Sequence, residues 1–161
     1  MSYGAPIEID SGETVRPEWI DYNDHMNIAY YLLAFDQALD RLYDRLGFGV
    51  DYLKSTNHST MTMETHITYA RELRLGAPIR FTFQLLDYDK KRQHFFGRMF
   101  HTDEGYLAAT HEWLTTHVDL TARRTAEMPT DKVVTFAQIM EEHAALPRPD
   151  QAGAVIGIRR K

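Results

Sequence analysis

The sequence predicts an α+β fold in which one long central helix is wrapped by an antiparallel sheet of about five strands, with a peripheral helix near the C-terminus. Two observations carry this prediction. A single long run of helical periodicity begins at Ile28, and several later segments alternate with period two and are separated by short turns. A lone apolar helix followed by an antiparallel meander has few ways to bury both, so the sheet must wrap the helix.

In chain order, Thr14 to Asp21 alternates loosely and reads as a first strand. The helix follows from Ile28 to Leu46, with Leu32, Phe35, Leu39, Leu42 and Leu46 at helical spacing and Gly47 and Gly49 ending it. A helical turn near Val50 to Lys54 leads to a strand over Thr60 to Tyr69, where Met61, Met63, Thr65, Ile67 and Tyr69 form one expected core face. Arg71 to Pro78 supplies a turn, and Ile79, Phe81, Phe83 and Leu85 mark the next strand. Arg92 to Thr102 and Tyr106 to Asp119 are the last two strands, joined by a hairpin at Asp103-Glu104-Gly105. Thr130 to Leu146 reads as the peripheral helix, capped by Thr130 or Asp131, with Val134, Ile139 and Met140 on its stripe. Residues 1–146 therefore form one expected unit and 147–161 a loose tail.

Composition bounds the function. The chain has 161 residues, 43% hydrophobic and 25% charged, as an ordinary globular protein does. Its net charge of −5, with scattered basic residues, argues against nucleic acid as a partner. No apolar run has the length of a membrane span, and Met1-Ser2-Tyr3-Gly4-Ala5-Pro6 lacks the basic start and apolar core of an export signal. There is no cysteine, which removes disulfides, thiolate catalysis and Cys-type zinc sites and fits a cytoplasmic protein. His111 and His117 are six residues apart, about 20 Å along a strand, so they cannot share a metal, and no other metal-ligand spacing occurs. Ser11, Ser55 and Ser59 lack the G-x-S-x-G turn of a serine nucleophile.

The densest chemistry lies in Asp21-Tyr22-Asn23-Asp24-His25-Met26-Asn27, immediately before the long helix. A helix start presents free backbone N–H groups and a positive dipole end. An acidic side chain beside such donors can act as nucleophile or general base while the donors hold an oxyanion, which together are what acyl transfer requires. Asn27 is placed to cap the helix, and the Ile28 or Ala29 amide is expected to face the reacting carbonyl.

The same residues carry a resemblance. The stretch Asp21 to Tyr31, followed by Tyr69-Ala70-Arg71-Glu72-Leu73-Arg74-Leu75-Gly76, Asp89-Lys90-Lys91-Arg92 and His117-Val118-Asp119, resembles hotdog-fold acyl-CoA thioesterases of the 4-hydroxybenzoyl-CoA thioesterase type. The fuller wording Glu18-Trp19-Ile20-Asp21-Tyr22-Asn23, Tyr31-Leu32-Leu33-Ala34-Phe35-Asp36 and Asp89 to His94 is similar to the thioesterases of carnitine breakdown, which hydrolyse betainyl-CoA. Many relatives have Gly before the His where this chain has Asp24, and Asp tolerates a left-handed backbone better than most residues.

The resemblance implies a hotdog fold and hydrolysis of a small acyl-CoA thioester in which Asp21 attacks the carbonyl or activates water. No cofactor is implied beyond the CoA of the substrate. It also implies a homodimer or tetramer whose second subunit covers the other sheet face. His25 would bind substrate, orient Asp21 or water, or simply pack in the loop. Trp19, Tyr30, Tyr31 and Tyr69 are core or interface residues that could also face an acyl group, and a betaine cation over one such ring would gain about 2 kcal/mol. Glu64 and His66 share a strand face, either solvated or beside a partner's loop, while Arg71, Lys91 and Arg92 are the candidates for CoA phosphates. A hotdog dehydratase or hydratase, and a non-catalytic acyl-CoA binding module, remain the alternatives.

Overall fold

The computed structural model of the chain describes residues 6–158. Residues 1–5, part of the stretch read above as lacking an export signal, and the last three residues of the expected tail lie outside the described residues. The elements are β1 (Ile7–Thr14), α1 (Ile28–Leu46), α2 (Val50–Thr56), β2 (His58–Tyr69), β3 (Pro78–Tyr88), β4 (Arg92–His101), β5 (Leu107–Asp119), the two-residue β6 (Arg124–Thr125) and α3 (Thr130–His143). The sheet is antiparallel in the order β1-β3-β4-β5-β2, with β6 added to β5.

The first strand lies earlier than predicted. Ile7 and Ile9 point inward from β1 against β3, whereas Pro17 opens a single 3-10 turn over 17–19. Proline has no N–H to give a ladder, so the segment after Thr14 leaves the sheet. Val15 still exchanges bonds with the residues just before β3, its amide on the Ala77 carbonyl at 2.9 Å and its carbonyl accepting the Gly76 amide at 2.8 Å.

Helix α1 has the predicted bounds because both ends carry local signals. Asn27 caps its start, and Gly47 closes it with φ 76°, its N–H bonded to the Asp44 carbonyl at 3.0 Å. The buried stripe runs Tyr31, Ala34, Phe35, Ala38, Leu39, Leu42, Tyr43 and Leu46, while Leu32 and Leu33 are exposed. Phe35 lies under the sheet against Phe81 and His111, with ring centroids 5.4 and 5.0 Å away. Gly97 of β4 permits that approach: a Cβ there would meet Phe83 at 2.9 Å and Phe35 at 3.3 Å. Burying a side chain of this size stabilises the fold by roughly 1.5–3 kcal/mol.

In β2 the register changes between Thr62 and Glu64. This bulge puts Thr65 and Ile67 opposite Trp113 and His111 on the inner face but leaves Met61 and Met63 47% and 61% exposed, so the predicted continuous core face is broken. Strand β2 pairs only with β5 among the described residues and so ends the sheet on that side.

Helix α3 begins after Pro129 with no side-chain cap, contrary to the expected Thr130 or Asp131 cap, and Val134 is exposed. Phe136 and Ile139 are buried, with Phe136 against Phe48 and Phe95. Its last residue, His143, accepts the Leu85 amide through Nδ1 at 2.9 Å, next to a β3 bulge. Residues 147–158 have no helix or strand but are tied down: the Pro147 carbonyl accepts from Gln84, and the Gly153 amide donates to Glu112 at 2.7 Å. Part of the outer sheet face is thus covered by the chain itself. No helix among the described residues is long and apolar enough to cross a membrane.

His111 lies buried between the rings of Phe35 and Trp113, its Nε2 against the Thr65 hydroxyl and its Nδ1 without a partner among the described residues. Burial pulls its pKa from 6.5 down to about 4. The folded protein therefore holds His111 neutral where the unfolded chain protonates it. Its stability contribution is complete above about 6.5 and is lost as pH falls towards about 4, at up to about 1.4 kcal/mol per pH unit. Urea unfolding of wild type and His111→Leu across this window should show a shallower acid loss in the variant; equal slopes would remove His111 as a cause.

Candidate active site

The loop before α1 is built by its own backbone. The Asp24 amide donates to the Asp21 carbonyl and the Asp21 amide to the His25 carbonyl, each at 3.1 Å, closing a turn in which Asp24 adopts φ 61°. The left-handed position expected of Asp24 is therefore present. Two longer-range bonds hold the turn in place. The Met26 amide reaches the Leu73 carbonyl at 2.8 Å, and the Asn27 amide reaches the Trp19 carbonyl at 2.9 Å.

Asp21 stands half-buried on this loop. Its Oδ1 accepts the Asn23 amide at 2.8 Å, and its Oδ2 receives the Asn27 carboxamide nitrogen at 3.4 Å. The other end of the same carboxamide accepts the Ala29 amide at 3.0 Å, capping α1. Asn27 therefore joins the carboxylate to the helix start with both ends of one side chain. The Ala29 amide is used by the cap, whereas the Ile28 amide has no protein acceptor among the described residues. Of the two amides expected to face a carbonyl, Ile28 is the one left open.

The aromatic candidates differ in what they offer. Trp19 is only 2% exposed, stacked on Tyr30 at 5.9 Å and covered by the Arg16 guanidinium at 5.1 Å, so its ring serves the loop. Tyr31 is buried, its hydroxyl accepting the Leu73 amide at 3.2 Å, and burial raises its pKa to about 12. Tyr69 packs edge-on to Tyr31 at 5.2 Å and donates to the Ile28 carbonyl at 3.3 Å, yet remains 50% exposed. It is the aromatic candidate that presents an open face beside the helix start.

His25 is half-buried, with Nδ1 3.4 Å from the Met26 carbonyl. It faces the Glu72–Arg74 turn, where the Arg74 guanidinium chiefly, and His25 and Arg71 to a smaller degree, hold the Glu72 carboxyl below its usual range. Arg71 and Arg74 beside and in that turn were read from the sequence only as candidates for CoA phosphates, and Glu72 and Leu73, which anchors both Met26 and Tyr31, were not singled out. They lie in the Tyr69 to Gly76 stretch, and the contact is non-local and made largely by backbone, which no side-chain pattern announces.

The remaining candidates are spread out. Glu64 and His66 line an outer-face cleft of about 350 Å³ with His94, Glu112 and residues 153–155. Arg71 pairs with Glu104 at 3.7 Å and lies 3.9 Å from the Tyr106 ring centre, near the Asp21 loop end of the sheet. Lys91 and Arg92 line a groove of about 480 Å³ with Met63 and Thr116, and Arg92 is paired with Asp89. Arg71 is bonded to Ala108 of β5 and Arg92 pairs with Thr116, so about 26 Å of strand separates them and one protomer does not bring them together.

The residues from 15 to 140 match the thioesterase-like superfamily. The chain belongs to that family. It is 35% identical over 144 residues to the betainyl-CoA thioesterase of Pseudomonas aeruginosa, covering 89% of this chain and 91% of that one. It is also 38% identical over 146 residues to the L-carnitine dehydrogenase/betainyl-CoA thioesterase of Rhizobium meliloti, covering 91% of this chain and 29% of that longer protein. A Staphylococcus aureus protein solved in complex with CoA superposes with a TM-score of 0.85 at 30% identity, covering 91% of this chain and 92% of that one. The protein is thus a thioester hydrolase with the hotdog fold expected from its sequence.

The double use of Asn27 gives a stability test. Asn27→Ala should cost about 1 kcal/mol in urea unfolding, because the first-turn amide loses its acceptor. Asn27→Ser, whose hydroxyl still accepts from Ala29 and puts no charge beside Asp21, should stay near wild type; an equal loss in both variants would mean that the Ala29 cap is not what stabilises the helix start.

Proposed function

We propose that this thioesterase hydrolyses betainyl-CoA to betaine and free CoA, with Asp21 as the reacting carboxylate. The observation that carries the reading is the link through Asn27, which sets Asp21 beside a helix start whose Ile28 amide is unoccupied. Oδ2, held more loosely than Oδ1, is the oxygen offered to the thioester carbonyl or to a water molecule. As the carbonyl carbon becomes tetrahedral, its oxygen takes negative charge, and the Ile28 N–H with the dipole of α1 stabilises it. Collapse expels the CoA thiolate. If Asp21 attacks directly, water then hydrolyses the resulting anhydride; if it acts as base, the acid forms at once. Loss of one such oxyanion donor costs roughly 3 kcal/mol of barrier.

The acyl group is argued from chemistry and kinship together. The relatives named above act on betainyl-CoA, whose acyl group ends in trimethylammonium. That cation has no N–H to donate, so an aromatic face recognises it better than a carbonyl does. Tyr69 supplies such a face next to the helix start, in preference to the covered Trp19. On this reading Arg71 meets the CoA of its own protomer, and Lys91 and Arg92 meet that of a partner. Self-association as a dimer or tetramer fits the free β2 edge with exposed Met61 and Met63. CoA enters as part of the substrate, and the cytoplasm, where CoA thioesters are made, is the setting that goes with this chemistry.

CoA release should be followed for wild type and Asp21→Asn with betainyl-CoA, its uncharged isostere tert-butylacetyl-CoA, and aliphatic and aromatic acyl-CoAs. We expect betainyl-CoA to be preferred over the isostere by about thirtyfold in kcat/KM, equivalent to about 2 kcal/mol of cation–π stabilisation, and Tyr69→Leu to erase most of that preference. Asp21→Asn should lose at least about a hundredfold in kcat. Equal turnover of the isostere by wild type would exclude cation recognition, and an active Asp21→Asn would exclude the assigned carboxylate.

A further inference from the structure

The C-terminal segment crosses the outer face of the sheet along a single row of side chains. Gln84 of β3 pairs with Phe96 of β4, Phe96 with Glu112 of β5, and Glu112 with His66 of β2, so these four residues lie abreast. The segment touches this row at Gln84 through the Pro147 carbonyl and at Glu112 through the Gly153 amide, and residues 153–155 border the cleft that Glu64 and His66 line. Its direction is from β3 across β5 towards β2, which ends the sheet on that side. Glu112 anchors it firmly: one carboxylate oxygen takes the Gly153 amide at 2.7 Å, and the other is 2.8 Å from His94 Nε2.

Beyond that anchor the character of the chain changes. Val155, Ile156 and Ile158 are 85%, 87% and 87% exposed. Three large aliphatic side chains at the end of a bonded strap, left largely uncovered by the described residues of their own protomer, call for a cover. The matching surface is on β2, where the bulge turns Met61 and Met63 outward.

Resting on the proposed self-association through the β2 edge, we infer that residues 155–158 form an arm that lies on Met61 and Met63 of a second copy of this chain. A strand that pairs with itself about a two-fold axis must be antiparallel, so its two halves exchange neighbours. Pairing over the full length of β2 sets His66 opposite the region of Met61 in the other copy. The row followed by the segment therefore runs off β2 directly onto the exposed methionines. The reach is sufficient: strands are about 4.8 Å apart, and the five residues after Gly153 span up to roughly 17 Å, three strand spacings. Each copy gives an arm and receives one, so the contact closes at two subunits.

The absence of cysteine makes a direct test clean. The variants Met61→Cys, Ile156→Cys and the double variant are oxidised and run without reductant, beside sedimentation of the wild type and of a chain truncated after Ala154. We expect a wild-type dimer, a covalent dimer from the double variant but from neither single one, and a dimer Kd raised about tenfold or more by truncation. Thiols consumed within one chain, or left free in a dimer, would overturn the arm while leaving self-association intact. A dimer Kd unmoved by truncation would also overturn it. A monomeric wild type would overturn both.

Discussion

The side chain of Asn27 is the interaction on which the site depends. A helix cap needs an acceptor for a first-turn amide, and a carboxylate held in place needs a donor; a carboxamide is both. With its oxygen on Ala29 and its nitrogen towards Asp21, the residue that ends the loop also holds the Asp21 carboxylate beside the N-terminal end of α1. The cap also decides which amide is free. Because Ala29 is consumed, the open N–H belongs to Ile28, immediately after the capping residue. The helix cap and the placement of Asp21 are therefore set by two hydrogen bonds of one side chain, and a substitution that keeps one of them can lose the other.

That arrangement is only as fixed as the loop beneath it, and the loop hangs on Leu73. The Leu73 carbonyl takes the Met26 amide, and its amide gives to the Tyr31 hydroxyl one helical turn further on. A residue with no side-chain chemistry of its own thus ties the connection between β2 and β3 to both sides of the helix start. Tyr69, just upstream, bonds the Ile28 carbonyl and packs on Tyr31. The end of β2 and the start of α1 are consequently tied together, which is the rigidity that the proposed backbone oxyanion donor requires.

How much of this was legible in the sequence depended on how local each signal is. Helix α1 was readable at both ends because an Asn cap and a terminating Gly act within a few residues of the bounds they set. The loop chemistry was readable for the same reason. The β1 strand was displaced because its inward residues, Ile7 and Ile9, are followed by Ser11 and Gly12, and its pairing partner lies about seventy residues away. The β2 bulge was invisible because a run of alternating residues does not reveal where one extra residue has been inserted, and that insertion moved Met61 and Met63 from the core to the surface. Asp21 and Asn27 were singled out through their own side-chain chemistry, whereas Leu73 contributes only its backbone. Trp19 was read as a possible ligand face because sequence cannot show that Arg16 already covers it.

The half-exposed position of Asp21 suits hydrolysis. Oxyanion donors act most strongly where water is excluded, because the local dielectric is low, but a hydrolase must also admit one water molecule to the reacting carbon. The partly exposed Asp21 leaves an approach to its carboxylate open, while Tyr31, bonded to the Leu73 amide, is buried beneath the helix start. A second subunit at the β2 edge would then narrow the opening rather than build the chemistry. The Asp21 carboxylate, its Asn27 partner and the open Ile28 amide all belong to one helix start, so the groups of the proposed chemistry come from a single protomer.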